Sequence, residues 1–199
     1  MQHQLKLWRK NEVPVAPLFG LTGHAESGKT SFAEQARLID GEVKIRSVGY
    51  QIKKKAAAFA DVPLQEIFDN KKFYRPLLVD LAAAGRRQFG KNYWVNKLVK
   101  NIGNLQDETI LFIDDVRTNE DAAWVRAEGG YIININRVGQ IVPPYDERDE
   151  TERPEDIEAD YIYWNDPSEP KLLEKAVEEI IWGDVIAKAE QKTLVASAS

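Results

Sequence analysis

The octapeptide Gly23-His24-Ala25-Glu26-Ser27-Gly28-Lys29-Thr30 fits G-x-x-x-x-G-K-[ST], and it lies between an apolar run, Leu18 to Thr22, and a helical pattern that opens at Lys29. Few arrangements satisfy that context. Glycines let successive backbone N–H groups converge on an anion, and the helix that follows adds the positive end of its dipole, so the segment is a cradle for phosphates. Gly23, Ala25, Glu26, Ser27, Gly28, Lys29, Thr30 and Ser31 are therefore the expected nucleotide-binding positions. Lys29 reaches the β- and γ-phosphates of ATP, and the Thr30 hydroxyl ligates magnesium.

The rest of the chain is compatible with that loop. Candidate strands at Leu18 to Thr22, Val43 to Val48, Thr109 to Asp114, Tyr131 to Asn136 and Tyr161 to Trp164 are short and rich in β-branched or aromatic residues. Helical patterns fall between them at Lys29 to Ile39, Gln51 to Ala60, Tyr74 to Phe89, Tyr93 to Leu105, Asn119 to Glu128 and Lys171 to Ile180. This alternation predicts an α/β fold of three layers, a P-loop NTPase or kinase architecture with a five-stranded, mostly parallel sheet. The helices between the second and third strands, about residues 50–106, form an insertion placed beyond the carboxyl ends of the strands, where ligands bind in such sheets. Residues 138–160, dense in Asp, Glu, Arg and Pro, read as a solvated lid loop, and the tail after Gln191 reads as frayed.

Composition narrows the chemistry. With 199 residues, 43% of them hydrophobic, the chain predicts one domain with a substantial core. No cysteine is present, which removes disulfides, thiolate metal sites and thiol nucleophiles. The two histidines, His3 and His24, give no credible Ser-His-Asp triad. A net charge of -5 argues against direct nucleic-acid binding. Neither a signal peptide in Met1 to Lys10 nor an apolar run long enough to span a membrane is found, so the expected location is the cytoplasm, with no membrane partner.

The third strand ends Ile110-Leu111-Phe112-Ile113-Asp114-Asp115-Val116-Arg117, delivering two carboxylates and a guanidinium to the ligand edge. One carboxylate can serve magnesium or the acceptor while the other caps a helix. Asp115 is taken as the functional one. Of the run Lys53, Lys54 and Lys55, at most one faces ligand. Arg75 and Arg86, eleven residues apart, can project from one side of a helix, and Tyr93-Trp94 either stack on a base or fill the core.

Taken in order, these residues resemble the bacteriophage deoxynucleoside monophosphate kinase family. The resemblance is carried by G-H-A-E-S-G-K-T at 23–30, S-V-G-Y-Q-I-K at 47–53, the run from Arg75 to Val95, D-V-R-T-N-E at 115–120, G-G-Y-I-I-N-I-N-R at 129–137, T-E-R-P at 151–154 and A-D-Y-I-Y-W-N at 159–165. It implies transfer of the ATP γ-phosphoryl group to a deoxynucleoside 5′-monophosphate. By position, Lys29, Asp115 and Arg117 would be catalytic, Thr30 and Asp115 would hold magnesium, and Arg137 and Asn165 would lie near the donor adenine. Ser47, Lys53, Arg75, Arg86, Trp94, Asp115, Arg117, Glu120 and Glu152 would serve the acceptor. The chain departs from the family pattern at Val48-Gly49 and at Asp149-Glu150-Thr151-Glu152, so base preference does not carry over. The reading leaves room for a homodimer. Its alternatives are a kinase of another small acceptor, such as dephospho-coenzyme A, and a nucleotide-dependent switch protein, although neither the Asp-x-x-Gly nor the Asn-Lys-x-Asp element of a switch is found.

Overall fold

A computed structural model describes residues 17–102, 110–148 and 153–186. Five strands, β1 (Leu18–Thr22), β2 (Lys44–Arg46), β3 (Leu111–Ile113), β4 (Tyr131–Arg137) and β5 (Tyr161–Asn165), form one sheet in the order β2-β3-β1-β4-β5. Every pairing is parallel. All five strands therefore end on the same edge, and β1, which carries the glycine-rich loop, is central.

Strand β1 shows why the chain adopts this arrangement. All five of its residues are buried, so both faces need apolar cover. Phe19 and Leu21 point into one layer with Phe32, Phe112, Ile133, Ile135 and Val177, beneath helices α1 (Lys29–Ile39) and α7 (Pro170–Val177). Leu18 faces the other layer with Val48, Trp94, Leu98, Ile113, Val125 and Ile132. This second face is covered by α2 (Val48–Ala60), α5 (Tyr93–Ile102) and α6 (Asn119–Ala127). Gly20 lies between: a Cβ there would be 2.7 Å from Ile132 and 2.8 Å from Val116, so only glycine permits this packing. Beyond α7 the chain continues as a π-helical turn, Glu178–Ile186.

The insertion comprises α2, α3 (Leu64–Asp69), α4 (Lys71–Phe89) and α5. It has a small core of its own, in which Ala56, Ala57 and Ile67 are the buried members among the described residues. The sequence predicts neither α3, too short to show a period, nor the start of α2 at Val48, which the periodicity assigns to β2. The expected ends of the third strand at Thr109 and of α5 at Leu105 lie outside the described residues, as does the tail after Gln191.

Candidate functional site

The loop from Gly23 to Thr30 is shaped by its backbone. Gly23 has φ 140 and Gly28 φ 105, conformations that side chains resist. A Cβ at Gly23 would lie 2.2 Å from the Ile135 carbonyl oxygen, and one at Gly28 would lie 2.3 Å from Asn165 Nδ2. Glu26, at φ 63, takes the left-handed conformation without being glycine, a strained position of the kind that clusters at ligand sites. Ala25 and Glu26 form the exposed outer turn, Ser27 is buried, and Thr30 and Ser31 lie exposed on the first turn of α1.

Neighbouring strands hold this turn by its carbonyls. Asn165 Nδ2 donates to Ser27 O (2.9 Å), an Arg137 N–H donates to Glu26 O (3.1 Å) and Gln140 Nε2 donates to Ala25 O (2.5 Å). Arg137 and Asn165, expected near adenine, thus brace the cradle itself. Lys29 Nζ folds back onto the loop and donates to Gly23 O (2.8 Å) and His24 O (2.6 Å). Burial, followed by the nearby Arg117 guanidinium, brings the Lys29 ammonium down to about 8. Such a cation gains from any anion entering the cradle.

The two carboxylates after β3 diverge. Asp114, not the expected Asp115, stands beside Thr30, whose Oγ1 donates to Asp114 Oδ2 at 3.4 Å. Asp114 Oδ1 is buried without a hydrogen-bond partner among the described residues, and burial followed by the neighbouring Asp115 charge raises this carboxyl to about 6. Asp115 turns toward the insertion and accepts from Ser47 Oγ (2.8 Å), Val48 N (2.7 Å) and Gly49 N (2.8 Å). Ser47 is therefore bound through Asp115.

Asp115 and Arg117 line an open cleft, walled also by Val48, Ile52, Arg86 and Trp94. Trp94 is 5% exposed, donates from Nε1 to Ala82 O (2.9 Å) and packs on Gly85, where a Cβ would come within 2.6 Å of the ring. The tryptophan is core, with one side on the cleft. Glu120, on the first turn of α6, pairs with Lys91 of the α4–α5 connection at 3.1 Å. Asp121 closes a capping box with Thr118 and also accepts from the Arg117 backbone N–H (3.2 Å). Burial pushes the Asp121 carboxyl up to about 6.

Cations gather at the other end of the insertion. Lys53 is half-buried, with its ammonium 4.7 Å from the Phe68 ring centre, while Lys54 and Lys55 are exposed, as the sequence predicts for such a run. Lys71, exposed on the first turn of α4, has its pKa lowered by partial desolvation first and then by Lys53 and Arg117, with Arg75 also repelling it. Sequence reasoning missed Lys71. Its one signal was a Lys71-Lys72 pair with no acidic residue in the first turn of α4, which opposes the helix dipole. Arg75 and Arg86 lie at opposite ends of α4, about 16 Å apart along its axis at 1.5 Å per residue.

The segment after β4 lies against the glycine-rich loop. Arg148 N–H is 3.5 Å from His24 Nδ1 and pairs with Glu155, whose carboxylate is 3.8 Å from His24 Nε2. Arg153 donates to Arg148 O (3.1 Å) and stacks on Tyr145, which in turn bonds Asp156. Arg148 and Glu155 were not singled out from sequence, because charges in a polar run look solvated. Glu152 lies outside the described residues.

Among the described residues no group of three or more His, Asp or Glu could hold a metal ion, and no helix is long and apolar enough to cross a membrane. What the site offers is a backbone cradle, a hydroxyl beside a carboxylate, and a set of cations facing a partly apolar cleft. No protein-family model and no curated protein sequence matches the chain. Among solved structures it is similar to a shikimate kinase from Aquifex aeolicus vf5, with 15% identity and a TM-score of 0.47 over 85% of this chain and 98% of that one. A shikimate kinase from Bacteroides thetaiotaomicron aligns at 13% identity and a TM-score of 0.39, over 83% and 98%. The fold assignment stands on the strand order and the loop, not on these scores.

Proposed function

We propose that this chain is a kinase that transfers the γ-phosphoryl group of ATP to a deoxynucleoside 5′-monophosphate. The observation that carries the reading is the convergence of Lys29, Lys53, Lys71, Arg75 and Arg117 around one cleft, where burial first and neighbouring cations second lower the proton affinity of Lys29 and Lys71. Folding has placed these charges together at a cost that phosphates would reverse. Phosphoryl transfer between two nucleotides needs such a site, because its catalysis is mostly positioning and charge neutralisation.

The residues suit magnesium-ATP. Among the described residues, Ser27 Oγ and Asp114 Oδ1 are buried polar atoms without hydrogen-bond partners, and Thr30 Oγ1 faces Asp114 Oδ2. The Thr30 hydroxyl and Asp114 would hold magnesium, which would supply neutralisation of phosphate charge when bound. In this reading Lys29 leaves the loop carbonyls for the phosphates, and Arg117 stands between donor and acceptor. Lys53, Lys71 and Arg75 take the acceptor phosphate, and Arg86 and Trp94 line the cleft that takes its nucleoside. The stretches 138–148 and 153–160 would belong to a donor-side lid, and Arg148 and Glu155 are seated against His24.

A coupled assay of ATP consumption against each common deoxynucleoside monophosphate, with dephospho-coenzyme A as a control acceptor, tests the reading. Stimulation of slow ATP hydrolysis by orders of magnitude, with a diphosphate product detected by mass spectrometry, is the expected result. Turnover unaffected by every monophosphate would refute it.

A further inference from the structure

We propose that Asp115 is a positioning residue: it anchors the root of the helical insertion to the sheet and acts on transfer through Lys53 rather than through a metal ion. The activity arm of this inference rests on the kinase reading above; its structural arm does not.

The first residues of α2 depend on a partner from elsewhere in the chain. Ser47, the N-cap, has extended backbone, φ -133 and ψ 130, and its side chain makes no capping bond to its own helix. Asp115 takes over that task across the sheet edge. Its Oδ1 accepts from the Val48 N–H at 2.7 Å, while its Oδ2 accepts from the Gly49 N–H and the Ser47 hydroxyl, both at 2.8 Å. A carboxylate at a helix N-terminus is favoured by the dipole, and a charged acceptor strengthens each bond.

Gly49 belongs to the same device, because a Cβ there would be 2.7 Å from Asp115 Oδ2 and would displace the carboxylate. Three accepted bonds use most of the lone pairs of Asp115. Asp114 differs: among the described residues one of its oxygens is buried without a hydrogen-bond partner, and the other faces Thr30. The adjacent carboxylates thus divide the work, Asp114 toward the cradle and Asp115 toward the insertion. Lys53 sits on α2 five residues after Val48, and its charge bears on Asp114. The position of Lys53 is set by how the first turn of α2 is held.

The test compares Asp115→Ala, Asp115→Asn, Gly49→Ala and Asp114→Asn. Amide hydrogen exchange at Val48 and Gly49 is read first. Asp115→Ala and Gly49→Ala are expected to lose about tenfold in protection there, the size of a lost cap, and Asp115→Asn is expected to recover most of it. In kinetics, Asp115→Ala raises the acceptor KM about tenfold, while the ATP KM and the magnesium midpoint move less than about twofold. Asp114→Asn shifts the magnesium midpoint instead. A magnesium midpoint displaced as far by Asp115→Asn as by Asp114→Asn would overturn the inference, and so would unchanged protection at Val48 and Gly49 in Asp115→Ala. Where Asp115→Ala does not fold, Gly49→Ala and Asp115→Asn carry the same comparison. If no acceptor is phosphorylated by the parent chain, the kinase reading falls alone and the exchange measurement still decides the anchor.

Discussion

The glycine-loop side of the cleft is shaped by its backbone, whereas the side formed by the insertion is shaped by its side chains. Around the glycine-rich loop, Asn165, Arg137 and Gln140 all donate to main-chain carbonyls, and positive φ angles at Gly23 and Gly28 set its curvature. Across the cleft, Trp94 is fastened to Ala82 by its ring nitrogen, Asp115 holds α2, and an exposed lysine meets Glu120. The first region is packed against two strands of a buried sheet. The second rests on the sheet through Val48, Trp94 and Leu98, but away from the sheet it has only the small cluster of Ala56, Ala57 and Ile67 and leaves Phe59 74% and Phe73 77% exposed. A cleft with one prebuilt side and one more lightly packed side can hold a ligand in a fixed place on the first and adjust on the second, since lightly packed elements open at lower free energy.

The largest expected effect tests the prebuilt half. Lys29→Met should lower transfer by on the order of 10²–10³-fold, comparable with removing one preorganised electrostatic group. The same variant should be at least as stable as the parent in thermal melts, because a desolvated ammonium has been removed. Equal turnover in variant and parent would take the cradle out of the mechanism.

On the adjustable half the losses should be smaller and confined to the acceptor. Arg75→Ala and Arg86→Ala should each cost about 2 kcal/mol in acceptor kcat/KM, roughly 30-fold, with the ATP KM nearly unchanged. A fall in ATP affinity instead would mean that the two sides have been exchanged.

Asp121 underlies the floor shared by both halves and provides a pH test. Its carboxyl is raised from 3.8 to about 6, so between those values the folded chain binds more protons than the unfolded one, and stability falls as pH rises through that window. In Asp121→Asn one carbonyl oxygen can still accept from both backbone donors that now share Asp121 Oδ2. Urea unfolding at about pH 4 and about pH 7 should show a decline smaller by about 1–2 kcal/mol in the variant. An identical slope would remove Asp121 from the titration.

The smallest effect is expected at the rim. Lys91 is 79% exposed in its pair with Glu120, so Lys91→Ala should change acceptor kcat/KM by less than about 1 kcal/mol, and the difference should vanish in high salt. A larger loss would make this pair part of the acceptor site.

How much of this was legible before any coordinates depends on how local each feature is. The helix Lys29–Ile39 and the strand Leu18–Thr22 have the same bounds in the structure as in the sequence pattern, because an apolar run, a glycine loop and a helical period are written in consecutive residues. Val48 was misread as strand because its apolar character serves a helix start that only the distant Asp115 stabilises. Lys71 and Arg148 looked like solvent-facing charges, and what distinguishes them is their company: Lys53 and Arg117 in one case, His24 and Glu155 in the other.

The sequence by itself determined the α/β class, the phosphate cradle and the presence of two acidic residues at the end of the third strand, since each depends on spacing within a few residues. Which of those two faces Thr30 was decided only by the tertiary structure. Asp114 and Asp115 are chemically identical neighbours, and the choice between them depends on which way each side chain leaves the end of β3 and on what α2 brings to meet it. A carboxylate is assigned its role by its donors, and Ser47, Val48 and Gly49 reach Asp115 only after the sheet has formed.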